Sequence, residues 1–202
     1  MPSSSQLYNI QPNLDDICVK TNVLKSSFRC LDIDSKVHLY NAHCLSLYGC
    51  ELWNLEDPMI HRLEVTWRKS VRNILELPNR TRSYIIPQIM GTNDVLSIIE
   101  QRQLNFIIKC LNHISKLVQN ITQNAFLCGK SYIVKNVNRI LSKSNVSYRN
   151  LFDGKKIKIE RKLCDKWRVD LIKELLCVRD QKLYIELDND QFNSVLNYVC
   201  CF

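Results

Sequence analysis

Apolar and polar positions alternate along this chain with the period of helices. Between Asp57 and Pro78, the residues Ile60, Leu63, Trp67, Val71 and Ile74 recur at three- and four-residue steps, so they share one helical face. Asp57 is a good N-cap and Pro58 suits the first helical position. Leu77-Pro78 ends the helix, because a residue before proline is pushed out of the helical region. The other faces carry Arg62, Arg68, Lys69 and Arg72 against Glu64 and Glu76. Upstream, no Asp, Glu, Lys or Arg lies between Lys36 and Glu51. Leu39, Tyr40, Cys44, Leu45, Leu47, Tyr48 and Leu52 there point in all directions on a helical period. A helix apolar all round is buried or in lipid, and a bilayer span needs about 20 apolar residues. The stretch therefore predicts a central core helix, capped by Asp32 or Asp34. Gly49 would cost roughly 1 kcal/mol in an exposed helix interior, so it is expected to admit a close neighbour.

The remaining chain continues the theme. Residues 1–12 are polar and expected to be loose. A helix opens at Asn13 or Leu14, with Leu14, Ile17, Leu24, Phe28 and Leu31 as its apolar positions. Ser83 to Met90 reads as a short helical piece interrupted by Pro87, and Gly91 breaks it. Asp94 can cap a helix from Val95 to about Ser115, with Ile99, Phe106, Ile107, Cys110, Leu111 and Ile114 buried. Arg102 and Lys109 share a polar stripe on that helix, and a lone stripe of this kind is ordinarily a solvated face. Further helices are expected at 117–127, at 132–143 with Ser131 as cap, at 160–178 and at 190–200. Leu183 to Leu187 alternates like one isolated strand. The fold class is all-α, an irregular multi-helix bundle with at most one isolated strand. The expected organisation is a loose 1–12, a helical domain at 13–116 and a short-helix region at 117–202.

Composition adds two things. The 202-residue chain carries a formal charge of +8, which favours contact with polyanions. Its 10 cysteines include no C-x-x-C and no Cys/His cluster with zinc spacing. They read as reduced thiols, several of them on apolar helix faces, as expected of an intracellular protein. Whether the compartment is nucleus or cytoplasm is left open. The opening Met-Pro-Ser-Ser-Ser has no apolar run, so no signal peptide is expected. No membrane segment is expected either.

The residues give no catalytic constellation. Asp15-Asp16 sits at a helix start, where carboxylates suit the positive helix end. Asp188 and Asp190 read as a cap region. His38, His43, His61 and His113 have no carboxylate, Ser or Cys partner at a readable spacing. No Gly-rich phosphate loop occurs. No metal and no cofactor is expected.

Leu47-Tyr48-Gly49-Cys50, Leu52-Trp53, Trp67-Arg68-Lys69, Arg72, Leu77-Pro78, Arg80-Thr81 and Pro87 form an ordered set. With these spacings, the set resembles the C-terminal part of the reverse transcriptase of LINE-like, non-LTR retrotransposons. The likeness is strongest over Lys25 to His113 and continues more weakly through Tyr148 and the Trp167 region. It implies the polymerase thumb and the helices beyond it, without the palm. Two-metal phosphoryl transfer needs paired palm carboxylates, and neither the aromatic-x-Asp-Asp turn nor its partner strand is in the sequence. The chain by itself is therefore expected not to be an enzyme. The resemblance implies a grip on template–primer duplex. Lys and Arg would neutralise phosphates without reading sequence. Arg68, Lys69, Arg72, Arg80 and Arg82 are the residues expected to carry it. Trp67, Trp53 and Tyr48 are expected as structural anchors. The competing reading of the five cations is a solubilised helix face. Alternatives for the whole chain are a helical protein-interaction module, or a decayed element copy with no selected function. Oligomeric state is left open.

Overall fold

The computed structural model of the chain describes residues 10–144, together with Asp170, Ile172, Lys173 and Leu176. Among the described residues there are seven α-helices, one 3-10 turn and no strand, so the fold is all-α. The helices are α1 (Gln11–Ser27), α2 (Ile33–His43), α3 (Pro58–Ile74), α4 (Ile86–Ile89), α5 (Val95–Leu111), α6 (Lys116–Cys128) and α7 (Tyr132–Ser144). The expected helices at 190–200 and over most of 160–178, and the Leu183–Leu187 strand, lie outside the described residues.

Two compact units divide the chain. One contains Leu47–His61 and the stretch from Val95, and the other contains Gln11–Ser46 and Arg62–Asp94. The second unit is built on α1, α2 and most of α3. Leu14, Ile17, Thr21 and Leu24 form the buried face of α1. Phe28, expected on that face, falls beyond the helix end and is exposed. In α3, Ile60, Leu63, Trp67, Val71 and Ile74 are all buried, and Leu63, Trp67 and Val71 are wholly so. The Asp57 carboxylate accepts the Met59 N–H at 2.8 Å, which starts α3. A Schellman-type bond ends it, from the Leu77 N–H to the Arg72 carbonyl at 2.8 Å. Glu76 takes the left-handed position in that turn, at φ 50°. The Tyr40 hydroxyl meets Ser70 Oγ inside this unit, and Ser70 Oγ donates to the Trp67 carbonyl at 2.8 Å. Burial pushes the Tyr40 hydroxyl well above its ordinary pKa, so it stays a neutral donor.

The charge-free stretch is not one helix. Asp32 caps α2 by accepting the Ser35 N–H at 3.0 Å, and α2 stops at His43. Leu47 (φ 41°) and Gly49 (φ 75°) are both left-handed. A helix cannot pass through them, and the chain resumes only as a 3-10 turn at Cys50–Leu52. A Cβ on Gly49 would meet nothing within 4 Å. Gly49 therefore serves the turn's positive φ and admits no close neighbour. Lack of charge reflects burial of Tyr40, Cys44, Leu45, Leu47 and Cys50, which loops and turns achieve as well as helices do. Tyr48 is 88% exposed and anchors nothing, against the expectation. Trp53 and Trp67 are buried.

In the first unit α5 is the hub, packing on the 3-10 turn, α6 and α7. Ile99, Ile107 and Leu111 are buried on α5, Phe106 and Cys110 are half-buried, and Ile114 lies past the helix end in solvent. The 3-10 turn is tied to α5 and α7 by two wholly or nearly buried amides. Gln103 Nε2 donates to the Cys50 and Trp53 carbonyls at 3.0 and 2.8 Å. Asn136 Nδ2 donates to the same Trp53 carbonyl at 2.9 Å and to Gln103 Oε1 at 3.2 Å. Asn136 Oδ1 accepts the Leu55 N–H at 3.3 Å. Pro87 sits in the first turn of α4 and so opens this helix, where an interruption was expected.

α6 ends on Gly129 in the left-handed conformation (φ 63°), with its N–H on the Ala125 carbonyl. A Cβ there would touch nothing, so Gly129→Ala tests conformation alone. The substitution is expected to destabilise the fold by about 1 kcal/mol. A chemical denaturation midpoint lowered at constant slope checks it, and an unchanged midpoint would mean that α6 ends independently of Gly129.

Candidate nucleic-acid interface

The second unit contains an open cleft of about 890 Å³ lined by residues of α1, α3 and the segment after α3. Thr21, Asn22 and Lys25 line it from α1, and Thr66, Lys69, Ser70, Arg72 and Asn73 from α3. Glu76, Leu77 and Asn79 line it from the following turn, and Cys18 completes the α1 contribution. Three cations therefore face one carboxylate across a wall of amides and hydroxyls.

Helix geometry places these groups. Asn22 and Lys25 are three residues apart on α1, and Lys69, Arg72 and Asn73 are three and four apart on α3, so each set is neighbourly on its own helix. The Lys25 ammonium donates to Asn73 Oδ1 at 2.9 Å. Asn73 Nδ2 in turn donates to Asn22 Oδ1 at 3.3 Å. This amide relay fixes Lys25 toward α3 while an ammonium retains two further donors.

The five cations expected from sequence fall into four roles. Lys69 is exposed and lines the cleft. Arg72 lines the cleft too, but its Nη2 donates to the Thr81 carbonyl at 2.7 Å and to Ser83 Oγ at 3.4 Å. Burial, then the nearby Arg68 charge, lower its pKa from the ordinary arginine value, yet a guanidinium stays charged in proteins. Arg72 is therefore a staple. It holds the turn at Thr81, whose own N–H and Oγ1 both donate to the Pro78 carbonyl. Arg80 and Arg82 flank that pinned residue and are exposed. They do not line the cleft. Arg68 pairs with Glu64 one turn earlier at 3.4 Å, half-buried. Such a pair contributes a few tenths of a kcal/mol, and it partly neutralises Arg68.

Lys25 is not among the residues that the sequence singles out. Its only local sign is that it is the basic residue of the last turn of α1. What makes it a cleft residue is the pairing of α1 with α3, which no spacing along the chain encodes.

The cysteines in this chain are free among the described residues. Cys44 and Cys50 are buried, whereas Cys18, Cys30 and Cys128 are exposed. Burial pushes the Cys44 and Cys110 thiols up, and burial with the Glu51 charge pushes Cys50 up to about 11. No group of three or more His, Cys, Asp or Glu among the described residues could hold a metal ion. No described helix is long and apolar enough to cross a membrane. No family model, curated protein or solved structure matches the chain.

Proposed function

We propose that this chain binds the phosphate backbone of a nucleic-acid duplex, without sequence preference and without catalysing a reaction. On this reading it is a thumb-side fragment of a non-LTR retrotransposon reverse transcriptase, as its ordered motifs suggest. The observation that carries the proposal is the cleft lined by three cations, Lys25, Lys69 and Arg72, against the one carboxylate of Glu76, among amides and hydroxyls. Phosphate oxygens accept from ammonium, guanidinium and amide donors alike, and such bonds carry no sequence information. The exposed Arg80 and Arg82 flank the Thr81 carbonyl held by Arg72 and extend the cationic surface of the same unit.

Arg72 is a poor choice for testing this, because its loss frees the Thr81 turn as well as removing charge. Lys25→Gln with Lys69→Gln removes two charges from the cleft and leaves that turn in place. For every phosphate no longer neutralised, the salt dependence of duplex affinity should flatten by about 0.9 in log–log slope, so the double variant should fall by roughly two units. Fluorescence anisotropy across a salt series reads this directly, with circular dichroism to verify the fold. A slope identical to that of the parent chain would show that the cleft does not meet phosphate.

A further inference from the structure

The first unit has its own open cleft, of about 370 Å³, separate from the residues used above. Gly49, Glu51, Leu52, Arg102, Phe106 and Lys109 line it. Its size suits one small ligand moiety, since ligand sites begin at about 300 Å³. Immediately before Gly49 stands Tyr48, the exposed aromatic with no anchoring role. The backbone presenting it is in an uncommon state. Leu47 and Gly49 on either side are both left-handed, and a non-glycine residue holds that conformation only where its surroundings impose it.

The surroundings do so here. Leu47 is buried, and its carbonyl accepts from Arg102 Nη1 at 3.4 Å. The same Arg102 nitrogen lies 3.8 Å from Cys50 Sγ, and Gln103 holds the Cys50 carbonyl. The segment is clamped on both sides of Tyr48, and the ring is left in solvent. Arg102, Phe106 and Lys109 follow each other at four- and three-residue steps on α5, so they form one stripe. Arg102 is committed to the clamp, whereas Lys109 is exposed. Phe106 and Leu52 supply an apolar floor, and Glu51 a carboxylate.

An exposed, backbone-clamped aromatic next in sequence to Gly49 of a cleft that also holds the exposed Lys109 fits an unpaired nucleotide. A base stacks on any aromatic face regardless of its identity, and a cation tracks the adjoining phosphate. Glu51 disfavours a run of phosphates but accepts a hydrogen bond from an exocyclic amine or a ribose hydroxyl. A duplex presents no free base face, so it would leave Tyr48 unused. We propose that Tyr48 and the Gly49–Lys109 cleft bind a single strand, with a base stacked on Tyr48 and its phosphate on Lys109. This site is independent of the duplex reading.

The test uses the full chain with fluorescein-labelled oligothymidine and, separately, a labelled duplex. Tyr48→Ala should weaken single-strand binding by roughly tenfold, within the range for one stacked base. Tyr48→Phe should bind as the parent does, because the ring stacks and the hydroxyl does not. Lys109→Gln should flatten the single-strand salt slope by about 0.7. None of these changes should alter duplex affinity. A 5-iodouracil oligonucleotide should crosslink to Tyr48 on irradiation, read by peptide mass spectrometry. Unchanged single-strand affinity in Tyr48→Ala, equal losses in Tyr48→Phe and Tyr48→Ala, or a crosslink map without Tyr48 would each overturn the assignment.

Discussion

Replacing Trp67 with alanine is expected to destabilise the chain by about 3–5 kcal/mol, the range for emptying a buried aromatic site. Stability of a domain totals only about 5–15 kcal/mol, so the substitution should remove a large share of it. The basis is position. Trp67 is wholly buried, in the middle of the α3 stripe, with Leu63 and Val71 one turn away on either side and equally buried. Its carbonyl accepts from Ser70, which bonds Tyr40, so the same turn of α3 holds α2 as well. Trp67→Phe makes a sharper comparison. The indole Nε1 is buried without a hydrogen-bond partner, a condition that costs roughly 1–3 kcal/mol. Phenylalanine removes that unsatisfied donor while keeping a ring, so it should lose much less than alanine. Urea unfolding followed by circular dichroism gives both values. An alanine variant within about 1 kcal/mol of the parent would mean that this site carries no more than an average position.

The α3 stripe shows what the sequence makes legible. Its five apolar positions, its Asp57 start and its stop near Leu77-Pro78 are local facts of spacing, cap chemistry and proline sterics. Asp32 as the cap of α2 is of the same kind. The 37–52 stretch shows what is lost. Absence of charge reports burial, and burial does not say helix. Two left-handed residues decide the matter, and one of them, Leu47, is a residue type that gives no warning. The same reasoning turns Tyr48 inward, whereas the side chain lies outward. The cleft divides likewise. Lys69 and Arg72 can be placed on one face by counting residues. Lys25 cannot, because α1 meets α3 across 48 positions of sequence, the separation of Lys25 and Asn73. Nor can counting distinguish a cation exposed in the cleft from one that holds a turn, which is the difference between Lys69 and Arg72.

Removing either buried amide from the first unit should be nearly as damaging as emptying the Trp67 site. Asn136→Leu keeps the volume but leaves the Leu55 N–H and Gln103 Oε1 without the bonds they make now. A buried group deprived of its partner costs about 1–3 kcal/mol, so a loss of about 3 kcal/mol is expected. Gln103→Leu removes donors from the Cys50 and Trp53 carbonyls and should lose a similar amount. The two amides bond each other and share the Trp53 carbonyl. Once one is gone, part of what the other does has gone with it. The double variant should therefore lose less than the sum, with an interaction energy of about 1–2 kcal/mol, inside the range for side chains in one network. The cycle also tests the clamp on Tyr48, because Gln103 grips the 3-10 turn that follows it. Gln103→Leu should raise proteolytic sensitivity near Leu47–Leu52, since freed backbone becomes a cleavage site. Additive losses within about 0.5 kcal/mol would mean that the amides act separately. Each amide would then hold the 3-10 turn through its own bonds to the Cys50, Trp53 and Leu55 backbone, without support from the other.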